Sequence, residues 1–189
     1  MARIPTRDII MRAAVSVAAR HGISGSSMDE IAEQAHVAKG SLYYHFPSKD
    51  AIFENVLQSG FDRLADAVRE ARCNLVGSEA LRAVTEATLT VLQQNPARAK
   101  IVASEMFRTD RPWADAIRPA RSSVVVLYRD VLREVAHESG GSAAAEAITE
   151  TAGAAFFGAI AGAGLEWLLF HPDQPLDAVA DQVLILAKR

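Results

Sequence analysis

The stretch from Ser26 to Lys49, SSMDEIAEQAHVAKGSLYYHFPSK, constrains this chain more than any other, because its spacing admits little but a helix, a tight turn and a second short helix. Ser27 stands three residues before Glu30, the spacing at which a serine hydroxyl and a glutamate carboxylate satisfy each other's backbone amides at a helix start. Ile31, Ala32 and Ala35 then recur at helical spacing, with Ala32 small enough for another helix to cross closely. His36-Val37-Ala38 reads as the turn. The second helix, about Lys39 to Tyr44, is too short to be stable alone and must rest on its neighbours through Leu42. Its remaining positions, Lys39, Gly40, Ser41, Tyr43, Tyr44 and then His45, carry charge, hydroxyl and aromatic groups with backbone open at a glycine, which a core helix would not do.

Taken together, Ile31, Ala35, Val37, Gly40, Ser41, Leu42, Tyr43, His45, Phe46, Ser48 and Lys49 resemble the N-terminal domain of the TetR family of one-component bacterial transcriptional regulators. The likeness covers about residues 6 to 57, and it is specific: LYYHF followed by SK stands at the right distance from an IAEQA helix. It implies double-stranded operator DNA as the partner. Lys39, Ser41 and Tyr43 would face the major groove, Gly40 would allow close approach, and Ser27, Tyr44, His45 and Lys49 would position the phosphate backbone. One departure is visible. The turn position usually held by glycine is His36, and a non-glycine residue in the left-handed region costs on the order of 1–2 kcal/mol.

Around this stretch the apolar periodicity is helical throughout, with no strand alternation bounded by hairpin turns and no internal repeat. Thr6 is placed to cap a first helix carrying Ile10, Ala13, Ala14, Val17 and Ala18, which stops at His21-Gly22. Ser48 caps a long helix through Phe53, Val56, Leu57, Phe61 and Leu64 to about Ala71. Gly77-Ser78 breaks the chain, and Asn95-Pro96 ends one helix and starts the next. The segment 108–119, with two prolines and a tryptophan, predicts a broken connection. A helix from Ala120 stops at Ser139-Gly140-Gly141, Ser142 caps a long Ala- and Gly-rich helix from Ala143 to Phe170, and a last helix follows Pro175.

The expectation is an all-α chain of about nine helices. Residues 1–50 would form a three-helix DNA-binding head, and residues 51–189 a larger helical body for effector binding and dimerisation. Half of the 189 residues are hydrophobic, enough for a sizeable core. The net charge of -3 is unevenly spread: residues 1–50 hold six basic and five acidic side chains, the remainder fourteen and eighteen. A head so weakly positive makes few phosphate contacts.

The small residues Ala154, Gly158, Ala161 and Gly162, with Leu165, line one face of the penultimate helix and suggest close helix packing across a homodimer. The uncharged run Thr151 to Leu165 is too short to cross a bilayer and Glu166 interrupts it, so no membrane is expected. The N-terminus MARIPTRD lacks the apolar core of a signal peptide, and the single Cys73 suits a reducing compartment, so the expected location is cytoplasmic.

Phe107, Trp113, Tyr128, Phe156, Phe157 and Trp167 are candidates to line a pocket, and the family resemblance implies an apolar or aromatic small-molecule effector that releases a repressor from a palindromic operator. A regulator of the same DNA-binding type without such a ligand is the nearer alternative. A helical-bundle metalloenzyme is the more distant one, resting on the Glu-x-x-His spacings Glu33–His36 and Glu134–His137, neither of which falls where four helices would face a metal. No cofactor, metal or catalytic site is expected, since no phosphate-binding glycine loop, Gly-x-Ser-x-Gly elbow or Cys-x-x-Cys occurs.

Overall fold

The computed structural model describes residues 4–105 and 108–187, and among them it contains nine α-helices and no strand. α1 runs Thr6–Gly25, α2 Met28–Gln34, α3 Lys39–His45, α4 Lys49–Arg72, α5 Gly77–Gln94, α6 Pro96–Glu105, α7 Ala114–Glu146, α8 Glu150–Phe170 and α9 Leu176–Ile185. Two compact units result. One joins Met1–Gly60 to Ala97–Arg118, and the other joins Phe61–Pro96 to Pro119–Arg189. The division thus falls inside α4 and draws α6 in with the helix-turn-helix, whereas the sequence suggested a simple boundary after residue 50.

In the first unit the apolar stripe of α1 is buried as expected, and Leu42, Phe46, Ile52, Phe53, Val56 and Leu57 complete the core. Gly22 at φ 70 interrupts α1, so the last turn before α2 is set apart from the main helix. α4 and α6 approach closely at Gly60, where a Cβ would lie 3.1 Å from Cγ2 of Val102; the glycine there serves packing. In the second unit α5 packs on both α8 and α9, which also pack on each other. Gly164 lets α8 close on Leu89 and Leu92, and Gly153 lets it reach the backbone of α7 at Val125 and Arg129.

Three boundaries differ from the expectation. Pro5, not Thr6, is the N-cap of α1 and no side chain caps it, because Thr6 already lies inside the first turn. α7 starts before Pro119 and includes it, since a proline near a helix start forfeits few hydrogen bonds. The penultimate helix begins at Glu150, not Ala143: Gly141 at φ 72 breaks the chain, a short turn follows, and the Ile148 carbonyl accepts a hydrogen bond from Arg133 Nε at 2.9 Å. α8 is longer than its uncharged centre, and by length and composition alone it could cross a membrane (mean hydropathy 1.5). Core helices of soluble proteins pass the same test, and Gly153, Phe156, Phe157, Ile160, Ala161, Gly164 and Trp167 of α8 are buried against their own chain.

Candidate nucleic-acid interface

The capping box at Ser27 is complete. Ser27 Oγ accepts from the Glu30 amide at 3.2 Å, and Glu30 Oε2 accepts from the Ser27 amide at 2.9 Å and from its hydroxyl at 2.8 Å. These bonds from Ser27 hold the Glu30 carboxyl below its usual range. At the other end of α2, His36 adopts φ 53, its amide donates to the Glu33 carbonyl at 3.0 Å, and the Val37 amide donates to the Ala32 carbonyl at 3.1 Å. That pair of bonds is a Schellman closure, which satisfies two carbonyls at the end of α2 and offsets the strain of a left-handed histidine. The turn is therefore fixed without glycine.

α3 is tied down by fully buried Leu42 and by Phe46 just beyond its end, while its outer surface stays open. Burying one such leucine is worth roughly 1.5–3 kcal/mol, and together with Phe46 it helps to hold a seven-residue helix that could not form alone. Tyr43 is 52% and Tyr44 86% exposed, Lys39 and Gly40 are exposed, and Ser41 and His45 are half-buried. Apart from the helix's own backbone and the adjacent residues, no described atom lies within 4 Å of the place a Gly40 Cβ would occupy. Two adjacent exposed tyrosines on a braced helix form a surface made to be covered. The Tyr44 ring meets His45 edge-on at 5.3 Å, which limits where it can swing.

The charges near α3 are mostly engaged. Lys39 Nζ donates to Asp29 Oδ2 of α2 at 2.7 Å, and that bond pushes the Lys39 ammonium up from its usual range. Lys49 Nζ, expected at a phosphate, donates to the carbonyls of Ser26 (2.9 Å) and Ser24 (3.2 Å), so two of its three N–H groups hold the link between α1 and α2. Arg7 sits over the Phe46 ring at 4.8 Å and donates to Asn55 Oδ1. Arg20 bridges Ser16 and Gln34, each at 3.2 Å. Asp29 was not singled out from the sequence, although an acidic residue in the first turn of α2 opposite a lysine opening α3 was the available signal.

The effector candidates fall in separate places. Tyr128, Phe156 and Phe157 cluster in the second unit, with Tyr128 stacked on Phe157 at 5.5 Å and edge-on to Phe156 at 6.2 Å. Thr88 Oγ1 donates to the Val84 carbonyl at 2.6 Å, so the Tyr128 hydroxyl is the donor in its 2.6 Å bond to Thr88. Trp167 lies apart, its Nε1 donating to the Gln174 carbonyl at 2.9 Å and so pinning the turn after α8. Trp113 belongs to the first unit, packs on Phe53 at 6.4 Å, and has a buried indole N–H with no hydrogen-bond partner among the described residues. Phe107 lies outside the described residues.

Among the small residues of α8, Gly158 and Gly162 have no described atom beyond their own helix backbone and chain neighbours within 4 Å of a would-be Cβ, and Gly162 is exposed. Ala154 and Leu165 are half-buried, while Ala161 turns inward. Gly153 and Gly164 are explained by packing within the chain; Gly158 and Gly162 are not.

A short helix braced by a capped helix and a Schellman turn, offering tyrosines, a lysine and bare backbone outward, defines a helix-turn-helix DNA-binding protein. Residues 10–56 match the N-terminal domain described as "Bacterial regulatory proteins, tetR family". The transcriptional activator FasR of Mycolicibacterium smegmatis is 31% identical over 127 residues, covering 67% of this chain and 58% of FasR. This chain thus spans less than two thirds of that relative's length. The transcriptional repressor BepR of Brucella suis is 28% identical over 195 aligned positions, covering 92% of this chain and 85% of BepR. FadR from Bacillus subtilis, solved in complex with stearoyl-CoA, superposes with a TM-score of 0.79 at 23% identity, covering 95% of this chain and 96% of that one. The chain belongs to the TetR family of bacterial transcriptional regulators.

Proposed function

We propose that this protein is a cytoplasmic homodimeric repressor that binds a pseudo-palindromic operator through α3 and releases it on binding a small-molecule effector with an apolar portion. The open face of α3 carries the reading: Lys39, Ser41 and Tyr43 address base edges, Gly40 permits close approach, and Ser27, Tyr44 and His45 lie along the backbone. Lys49 acts chiefly through the α1–α2 link it holds. In this reading the DNA-binding domain is residues 1–50, extended in the folded protein by the start of α4 and by 97–118, and the remainder binds effector and partner. Repression follows BepR, which aligns over nearly the whole chain; FasR, an activator, supports the opposite sign. A reporter behind the bound promoter decides between them, since deletion of the gene raises expression under a repressor and lowers it under an activator.

For the effector, a long-chain acyl thioester is the favoured class. The FadR structure holds stearoyl-CoA. The Tyr128–Phe156–Phe157 cluster supplies apolar surface. For the dimer, the support is the open faces of Gly158 and Gly162, since glycine inside a helix costs roughly 1 kcal/mol relative to alanine and calls for a packing reason. Fluorescence anisotropy with DNA from upstream of the gene tests the core of the reading. Tyr43→Ala is expected to lower operator affinity about 5- to 150-fold and to relax specificity at one position. Unchanged affinity in that variant would refute the docking. Stearoyl-CoA that binds without altering operator affinity would favour the regulator with no such ligand.

A further inference from the structure

We propose that Arg111, far from the helix-turn-helix in sequence, is a positioning residue for DNA binding that sets the joint between α1 and α2 by holding Ser24. The proposal rests on the DNA-binding reading above. Glu105, at the end of α6, is 4% exposed, and its carboxylate accepts from Arg111 at both oxygens, Nε to Oε2 at 2.9 Å and Nη2 to Oε1 at 3.0 Å. A fork-to-fork pair of this kind fixes the plane of the guanidinium as well as its position. The same guanidinium lies over the Trp113 ring, 5.4 Å from its centre. With Nε and Nη2 held by Glu105 and the plane resting on Trp113, the remaining nitrogen, Nη1, is aimed at one place, and it donates to Ser24 Oγ at 3.2 Å.

Ser24 is a joint residue. It follows Gly22, where α1 breaks at φ 70, and precedes Ser27, which caps α2. Little apolar packing holds it: Ser24 is exposed and edges a cavity of about 340 Å³ lined by the end of α1 and by α6, with Arg111 and Glu105 on its wall. What holds Ser24 is polar and comes from two directions. Lys49 Nζ takes its carbonyl at 3.2 Å, and Arg111 takes its hydroxyl. Because α2 is coupled to α3 through the closed turn at His36, the joint sets where Tyr43 and Tyr44 point. A guanidinium needed only for the fold would be complete with Glu105 and Trp113; the bond to an exposed serine adds no core and acts on geometry.

The test measures operator affinity by anisotropy, with operator fragments selected from genomic DNA on the immobilised protein, for Ser24→Ala, Ser24→Thr, Arg111→Gln and the pair Ser24→Ala/Arg111→Gln. Loss of one hydrogen bond that acts on DNA binding is expected to weaken it about 5-fold. Ser24→Ala and Arg111→Gln should each show that loss, the pair should be no weaker than Arg111→Gln alone, and Ser24→Thr, which keeps the hydroxyl, should bind as the parent does. Thermal unfolding of Ser24→Ala should be unchanged. Parent-like binding by Ser24→Ala overturns the proposal and leaves the DNA-binding reading standing, as does a Ser24→Thr variant as weak as Ser24→Ala. A parent protein that retains no genomic DNA overturns both.

Discussion

Replacing Lys49 by methionine separates two roles that the sequence alone would merge, because the side chain keeps its length and loses its ammonium. Two charge-assisted hydrogen bonds vanish, to the carbonyls of Ser26 at 2.9 Å and Ser24 at 3.2 Å. Bonds to charged groups are worth about 1.5–3 kcal/mol each when shielded. Here the side chain is half-buried, so solvent screening reduces the pair to about 1–2 kcal/mol in all. For a chain of this size each kcal/mol moves the melting temperature by roughly 2–4 °C, so Lys49→Met should melt about 2–8 °C lower by calorimetry. Operator affinity, measured from 50 to 300 mM salt, should fall by a similar factor at every salt concentration. A lysine neutralising one phosphate would instead change the slope of log affinity against log salt by about one. An unchanged melting temperature together with a slope shallower by one unit would show that Lys49 acts on DNA directly and would refute the bracing role.

Asp29→Asn frees Lys39 from its ion pair and should raise affinity for unrelated DNA about 2- to 10-fold while raising operator affinity less, so that the specificity ratio falls; equal affinities for parent and variant on unrelated DNA would count against it. Gly158→Leu should force apart the helices that pack on that open face and shift sedimentation toward monomer, whereas an unchanged dimer would move the interface elsewhere. Burial pushes the Tyr128 phenol up. Above pH 10, near the ordinary tyrosine value, the unfolded chain sheds a proton that the folded chain keeps. Stability should therefore decline as pH rises beyond 10, and Tyr128→Phe should lessen that decline; identical pH profiles for the two proteins would contradict the assignment.

How much could be read from the sequence depends on the range of the forces involved. The capping box at Ser27, the stop at Gly22, the cap at Ser48 and the start at Pro96 are all interactions within four residues, and each appears where the residue types put it. The buried stripe of α1 was legible for the same reason, since periodicity reports which face is apolar. What periodicity does not report is the partner. Gly153 and Gly158 look alike along the chain, yet one meets the backbone of α7 and the other meets nothing. Tyr128 and Trp167 look alike as aromatic candidates, yet one stacks on Phe157 and the other pins a turn. The membership of α6 in the DNA-binding unit, fixed by Gly60 against Val102 and by Arg111 at Ser24, comes from contacts between residues far apart in sequence and left no local trace.

The same long-range contacts change what the charge of the head means. Residues 1–50 carry only one more basic than acidic side chain, and four of the six cations are engaged: Arg7 is stacked on Phe46, Arg20 bridges Ser16 and Gln34, Lys39 is held by Asp29, and Lys49 holds two carbonyls. Attraction to any duplex scales with the phosphates a protein can neutralise, so a head that commits most of its cations internally is expected to bind unrelated DNA weakly. In the proposed docking the free energy of operator binding comes largely from short-range contacts at α3, where Tyr43, Tyr44, Ser41 and the bare backbone at Gly40 would touch bases and sugars only when the recognition helix sits in register. Such contacts fall off steeply with displacement, whereas a diffuse positive field would not. On this docking a small change at the α1–α2 joint, whether from Lys49 or from Arg111, would remove much of the binding, and a regulator built this way would be released by a modest movement.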